Sequence, residues 1–241
     1  MADEIVVVDS ESADRTREIA AAAGARILVR RWSGQAEQKN FAAAQAQFDW
    51  ILNLDADEEL SPELRAELQQ WKTAAADCAA YAMPRKCLYL GRWILHSGWY
   101  PDRKVRLYRR DLSQWHRQLH ESVRTNGAVG RLEGPILHYT LTHFSEHIAK
   151  MNRYTSLAAR HAYEAGQRRW LLNLLVVPPW TFFRTYVLQQ GFRDGGQGLL
   201  ISVAAAVYSC LQYLKLGALV MGLPVDQPGT EPPAEKSARR M

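Results

Sequence analysis

Cysteine is scarce in this sequence, and what there is lies scattered. Cys78, Cys87 and Cys210 show none of the close spacings that hold a metal or frame a set of disulfides. No zinc-finger, RNP or basic-zipper pattern appears either. The positive charge is modest, net +5 with a pI near 9.2, and it is dispersed. Nucleic acid is therefore not an expected partner. The basic surplus suits a smaller anion or an acidic surface, such as a phosphate-bearing ligand or anionic lipid. Nothing at Met1 reads as a signal peptide, which with unpaired cysteines points to a reducing cytoplasm. Charge itself is missing from Gly195–Leu214, and between Trp170 and Gly222 only Arg184, Arg193, Asp194 and Lys215 carry any.

What is present describes a globular chain. Apolar residues make up 47% and charged residues 23%, enough over 241 residues for one large domain with a smaller appendage. The first seventy residues alternate strand and helix. The run "EIVVVD" (Glu4–Asp9) is continuously apolar from Ile5 to Val8 and closed by an acid, as in a strand buried on both faces. Ser12 is placed to cap the next helix, with Asp14 in its first turn and Gly24 at its end. "ARILV" (Ala25–Val29) is a second strand, residues 36–46 an alanine-rich helix, and "WILNL" (Trp50–Leu54) a third strand. Ser61 and Pro62 then open a helix running to about Trp71. Strands separated by helices of this length predict a parallel sheet with right-handed crossovers. In such sheets ligands bind beyond the carboxyl ends of the strands, the edge on which Asp9, Asp55 and Asp57 fall.

Further on, "KVRLYRR" (Lys104–Arg110) alternates like a half-exposed strand, and 143–166 reads as one long helix rich in His, Arg and Lys. Arg103, Arg106 and Arg109 are expected to share a strand face that suits phosphates or a solvated surface. "WLLNLLVVPPWTFF" (Trp170–Phe183) is interrupted by two prolines and makes a poor straight span. Arginines and Lys215 around these apolar segments suit helices lying in the interface of an anionic membrane, although a soluble helical subdomain fits the same pattern. Gly195–Leu214 is long enough to span, but its alanines and glutamines weaken that reading. From Pro224 the composition is that of a disordered tail.

The chemistry is concentrated in "LNLDADEEL" (Leu52–Leu60), an apolar strand that runs into Asp55, Asp57, Glu58 and Glu59. Two carboxylates one residue apart suit Mg²⁺ or Mn²⁺, hard ions that keep some waters and take further oxygens from a diphosphate. Such an ion offsets the repulsion and screens charge on a departing diphosphate. Acids before a helix also complement its dipole, and Glu58 and Glu59 are expected to do only that.

The runs "EIVVVDSESADRT", "QKNFAAAQAQFDWILNLDADEELSPEL", "GWYPDRKVRLYRR" and "LHESV" together resemble the family 2 glycosyltransferases of GT-A fold. The resemblance extends from residue 3 to about 215. It points to the branch of lipopolysaccharide inner-core β-1,4-glucosyltransferases. It implies an inverting transfer of a hexose, with UDP-glucose the expected donor and a heptose donor next, to a lipid-linked saccharide. The fold implied is a Rossmann-like, mostly parallel sheet flanked by helices, with a hydrophobic helical extension. Residues 1–140 would form the catalytic domain, 141–222 a membrane-associating helical region and 223–241 the tail. The implied location is the cytoplasmic face of the bacterial inner membrane, bound peripherally.

Residue by residue, the resemblance gives Asp9 to the nucleoside of the donor, with Asp14 and Lys39 as further nucleotide contacts. Asp55 would touch the ribose side and share the metal with Asp57. Direct displacement needs a base for the acceptor hydroxyl. Glu121 is the first choice and Asp102 the second, with His120 as a ligand or orienting group. Arg103, Arg106 and Trp99 are candidates for phosphate or acceptor contacts, Trp99 by stacking on a sugar ring. Members of the family have a strand and helix ahead of the "DEIVVVD" strand, so the resemblance also leads us to expect that this sequence lacks them. Two other classes compete. A haloacid-dehalogenase-type phosphatase also sets D-x-D after an apolar strand, with Asp55 as nucleophile. A degenerate homologue would dock on membranes without catalysis.

Overall fold

The computed structural model describes residues 2–74, 76–116, 121–141 and 143–225. Within these the chain divides into two compact units. One takes the chain through Arg85 together with Arg103–Leu137; the other takes Lys86–Asp102 and the chain from His138 onward. The second unit therefore includes an earlier segment together with the C-terminal helices.

The first unit opens with β1 (Val6–Asp9), α1 (Thr16–Ala22) and β2 (Arg26–Val29), and the two strands pair in parallel from Val6↔Arg26 to Asp9↔Val29. Helix α1 begins later than its capping signal. Ser12 does not cap it, and Asp14 instead accepts the backbone N–H of Thr16 at 3.0 Å just ahead of the first turn. Its end behaves as the sequence suggests. Gly24, at φ +77, donates to the carbonyl of Ala21 while Ala25 reaches back to Ala20, closing the last carbonyls in a Schellman turn.

Next come α2 (Gln35–Gln45), β3 (Trp50–Leu52), β4 (Glu58–Leu60) and α3 (Pro62–Thr73). Ser61 caps α3, its hydroxyl accepting the N–H of Leu64 at 3.1 Å. Then follow β5 (Ala80–Tyr89), β6 (Arg92–Ile94), β7 (Asp102–Arg109), β8 (Ser113–His116), β9 (Ser122–Thr125), β10 (Val129–Arg131) and β11 (Ile136–Leu141). Pairing in this second sheet is mixed. Strand order is β3-β7-β5-β11-β4, with β10 parallel to β5, while β3 runs antiparallel to β7 and β6 antiparallel to β5. Strand β3 therefore does not extend the β1–β2 ladder as a parallel neighbour. It pairs with a strand some fifty residues downstream, which local periodicity does not register.

Two apolar clusters organise the first unit. Leu64 and Leu68 on α3 pack with Tyr81, Met83, Leu107 and Ile136 on one face of the sheet. The turn before β11 lies directly against α3, since a Cβ on Gly134 would fall 2.4 Å from Leu64 Cα. On the other face Ala36, Ala80, Tyr108 and Trp115 form the second cluster.

In the second unit, Tyr89, Ile94, Leu141 and Ile201 make the core. Helices α4 (Phe144–Glu164), α5 (Trp170–Phe183) and α6 (Gly195–Val220) follow. The two prolines do not break α5: Pro178 and Pro179 lie inside a continuous helix that passes into a wider π turn at Arg184–Leu188. Each proline deletes one backbone donor, and the helix carries that loss. Lys215 ties α6 to α4, its ammonium contacting Asn152 Oδ1, Thr155 Oγ1 and Ser156 Oγ at 2.7, 2.8 and 2.9 Å. Residues 226–241, most of the tail, lie outside the described residues.

Candidate active site

The acidic turn between β3 and β4 is held together by cations from three other elements. Its backbone closes on itself, with Glu58 N–H donating to the carbonyl of Asp55 at 3.0 Å. The Glu58 side chain returns the contact, accepting the N–H of Asp55 at 3.0 Å. Arg106 then binds both acids. Its Nη2 lies 2.8 Å from Asp55 Oδ2 and 2.6 Å from Glu58 Oε1, and its Nη1 donates to Asn53 Oδ1 at 3.2 Å. Lys39 of α2 meets Asp55 Oδ1 at 2.7 Å. Arg85 of β5 stands 3.7 Å from Glu58 Oε1. Two carboxylates thus meet three cations, and the repulsion visible in the sequence is absorbed by the protein itself.

Burial sharpens these contacts. The side chains of Glu58 and Arg106 are 0% and 4% exposed, so the pair sits where Coulomb attraction is poorly screened. Burial by itself would raise the Asp55 pKa, but Arg106 and Lys39 overcome it and bring the group to about 2. Beneath the cations lies Trp115, its ring centroid 4.3 Å from Lys39 Nζ and 5.7 Å from Arg106 Cζ. The indole is fixed in turn by a 2.9 Å hydrogen bond from Nε1 to Tyr108 Oη.

Two expectations change here. Glu58 is no helix cap but the buried partner of two arginines. Arg106 does not share a face with Arg103 and Arg109: a spacing of three on a strand of period two turns it to the opposite side. There it joins Tyr108 in the inner cluster. Of the others, Arg103 is engaged by Glu133 at 2.5 Å and Arg109 by Asp111 at 2.7 Å.

Asp57 stands exposed at the tip of the same turn. Asp9, at the end of β1, is 2% exposed, and its Oδ2 accepts the N–H of Ser12 at 2.9 Å. Asp14 is at the surface before α1. Trp99 packs edge-on against buried Tyr89, centroids 5.4 Å apart, at the core of the second unit, to which Asp102 also belongs. His120 lies outside the described residues.

Glu121 directly precedes β9, on the hairpin made with β8. That hairpin is clipped to α2 by Asn40, whose amide pairs with both the N–H and the carbonyl of Trp115 at 2.9 Å. The Gln35 amide of the same helix lies against the Glu121 carboxylate. Sequence reasoning gives Arg85, Gln35 and Asn40 no role, and Glu58 only a helix-dipole one. Arg85, with Lys86, left one signal, charge inside the otherwise apolar run "YAMPRKCLYL"; Asn40 left only its place in "QKNF" and Gln35 none, because their partners are remote in sequence.

The acidic turn thus lies on a mixed α/β unit, and two long apolar helices follow later in the chain. Residues 1–130 match Glycosyl transferase family 2. The chain is 33% identical over 224 residues to the lipopolysaccharide core biosynthesis glycosyltransferase LpsC of Rhizobium meliloti, covering 88% of this chain and 82% of that protein. It is 31% identical over 229 residues to an uncharacterized glycosyltransferase of Rickettsia typhi, covering 90% and 78%. An uncharacterized glycosyltransferase of Rickettsia bellii matches at 31% over 231 residues, 91% and 79%. The chain therefore belongs to the family 2 glycosyltransferases, and the phosphatase reading falls.

Proposed function

We propose that this chain transfers a hexose, glucose first among candidates, from a nucleotide sugar to a lipid-linked saccharide of the lipopolysaccharide-core kind, with inversion at the anomeric carbon. The observation that carries this reading is the similarity to a lipopolysaccharide-core transferase along nearly the whole chain. UDP-glucose is the proposed donor.

In this reading Asp9 and Lys39 lie on the nucleotide side, with Asp14 a more distant contact. Asp57, exposed at the turn, is the acid proposed to hold Mg²⁺ or Mn²⁺, beside Asp55, whose oxygens also meet Arg106 and Lys39. Among the described residues no group of three or more His, Cys, Asp or Glu could form an all-protein metal cage. A single exposed carboxylate nonetheless fits a cation that takes its other ligands from water and diphosphate. Bound there, the cation would neutralise charge on the leaving diphosphate. Glu121 accepts the proton of the acceptor hydroxyl as that oxygen attacks the anomeric carbon and the sugar–phosphate bond breaks. Asp102 is the second candidate for that role.

The acceptor's lipid fits the helical unit. Leu171, Leu172, Leu175, Val176, Trp180 and Phe183 of α5 are exposed along one stripe, and exposed Arg168, Arg169 and Arg184 bracket it. With the π turn that continues it, α5 runs Trp170–Leu188, and both this helix and Gly191–Val220 are long and apolar enough to cross a membrane by length and composition. The flanking arginines and the prolines within α5 support the reading proposed here, helices docked on anionic lipid at the cytoplasmic face.

The test is an assay of UDP-glucose and a panel of other nucleotide sugars against core-truncated lipopolysaccharide, with Mg²⁺ or Mn²⁺. A sugar-extended lipopolysaccharide is expected with one donor. No product with any donor, and no donor binding, would favour a membrane-docking protein without catalysis.

A further inference from the structure

Helix α2 faces the acidic turn and the proposed base at once. Lys39 reaches Asp55 Oδ1 at 2.7 Å. Gln35 stands one helical turn earlier, at the i,i+4 spacing that puts two side chains on one face about 5–6 Å apart. It points to the carboxylate of Glu121. An ionised carboxylate has no hydrogen to give, so the amide nitrogen is the atom that faces it. So turned, Gln35 Nε2 donates to Glu121 Oε1 at 3.0 Å and also to Oε2. A second contact fixes the same distance through the backbone. Asn40 grips Trp115 at both its N–H and its carbonyl. In the β8–β9 ladder the next residue, His116, pairs with Ser122, the neighbour of Glu121. The helix therefore sets where the hairpin stands, and Gln35 sets how the carboxylate on it is turned.

We infer that Gln35 is the positioning residue of the catalytic base: its amide holds the plane of the Glu121 carboxylate, one helical turn from the lysine that holds Asp55. This rests on the reading of Glu121 as base. General base catalysis needs an oxygen lone pair held in line with the acceptor hydroxyl. A lateral hydrogen bond from Gln35 narrows the orientations open to that carboxylate. Gln35 itself touches no reacting atom, and its contribution belongs to the rate of the chemical step rather than to donor affinity.

The test is steady-state transfer from UDP-glucose to core-truncated lipopolysaccharide by Gln35→Leu and Gln35→Ala. Each is made alone and in the Glu121→Asp background, where the shortened carboxylate is out of the amide's reach. Gln35 is solvent-exposed, so both single variants are expected to melt with the parent. Alone, each should lower kcat about tenfold or more while donor KM stays within about twofold. In the Glu121→Asp background the same change should have no further effect. Wild-type kcat in both Gln35 variants would overturn the inference. So would an equal loss in both backgrounds, or a loss confined to donor KM. Glu121→Gln separates this from failure of the underlying reading. If Glu121→Gln turns over normally, the base is elsewhere. If it is inactive while the Gln35 variants behave as wild type, only the role of Gln35 is wrong.

Discussion

At Asp55 burial and charge oppose each other, and the two cations at its oxygens outweigh the cost of removing it from water. The sign of the resulting pH dependence follows. A carboxylate held at about 2 when folded, against an ordinary value of 3.8, stabilises the fold fully above the ordinary value and loses that contribution as pH falls toward 2. The magnitude is about 2 kcal/mol. Urea unfolding of wild type and Asp55→Asn is therefore expected to show the widest stability gap near neutrality. The gap should narrow steadily below about pH 4. A gap that is constant down to pH 2 would mean the pairs with Lys39 and Arg106 do not hold in solution. Single residues were legible where their work is local: Ser61 as a cap and Gly24 as a stop depend on neighbours within one turn. Glu58 was misjudged because its partners, Arg85 and Arg106, arrive from other strands, and only the paired sheet brings them there.

Among the elements, helices α2, α3 and α4 fall within a residue or two of their expected bounds, since apolar periodicity and caps are properties of a short window. Pairing was not legible in the same way. A three-residue strand carries no mark of the antiparallel partner it finds in β7, and a consecutive strand–helix–strand pattern invites a parallel reading. Helix α5 is instructive for a different reason. Its prolines argue for a break, yet the helix continues and presents its leucines outward. Its outward stripe gives an element-scale expectation. Flotation with vesicles of zwitterionic lipid plus about one-third anionic lipid should recover the wild-type chain with the vesicles. Leu175→Asp with Trp180→Asp should stay in the soluble fraction, and added salt should weaken wild-type binding by screening the arginines. Equal recovery of variant and wild type would place lipid contact elsewhere or exclude it.

Over the whole molecule, the family was legible because four short motifs occur in a fixed order, a stronger signal than any one of them. The grouping of Lys86–Asp102 with the C-terminal helices was not. That segment is held by residues about a hundred positions later, such as Asp194, which accepts the N–H of His96 at 2.8 Å. What the sequence presented as crowded negative charge is, in the folded chain, an ion-paired turn with one acid at its exposed tip. The most direct test of that arrangement is calorimetric titration of UDP into wild type and Asp57→Ala, each with and without Mn²⁺. Manganese should tighten UDP binding to wild type at least tenfold, about 1.4 kcal/mol, and make no difference to Asp57→Ala. If manganese strengthens binding equally in both, or in neither, Asp57 does not hold the ion that grips the donor's diphosphate.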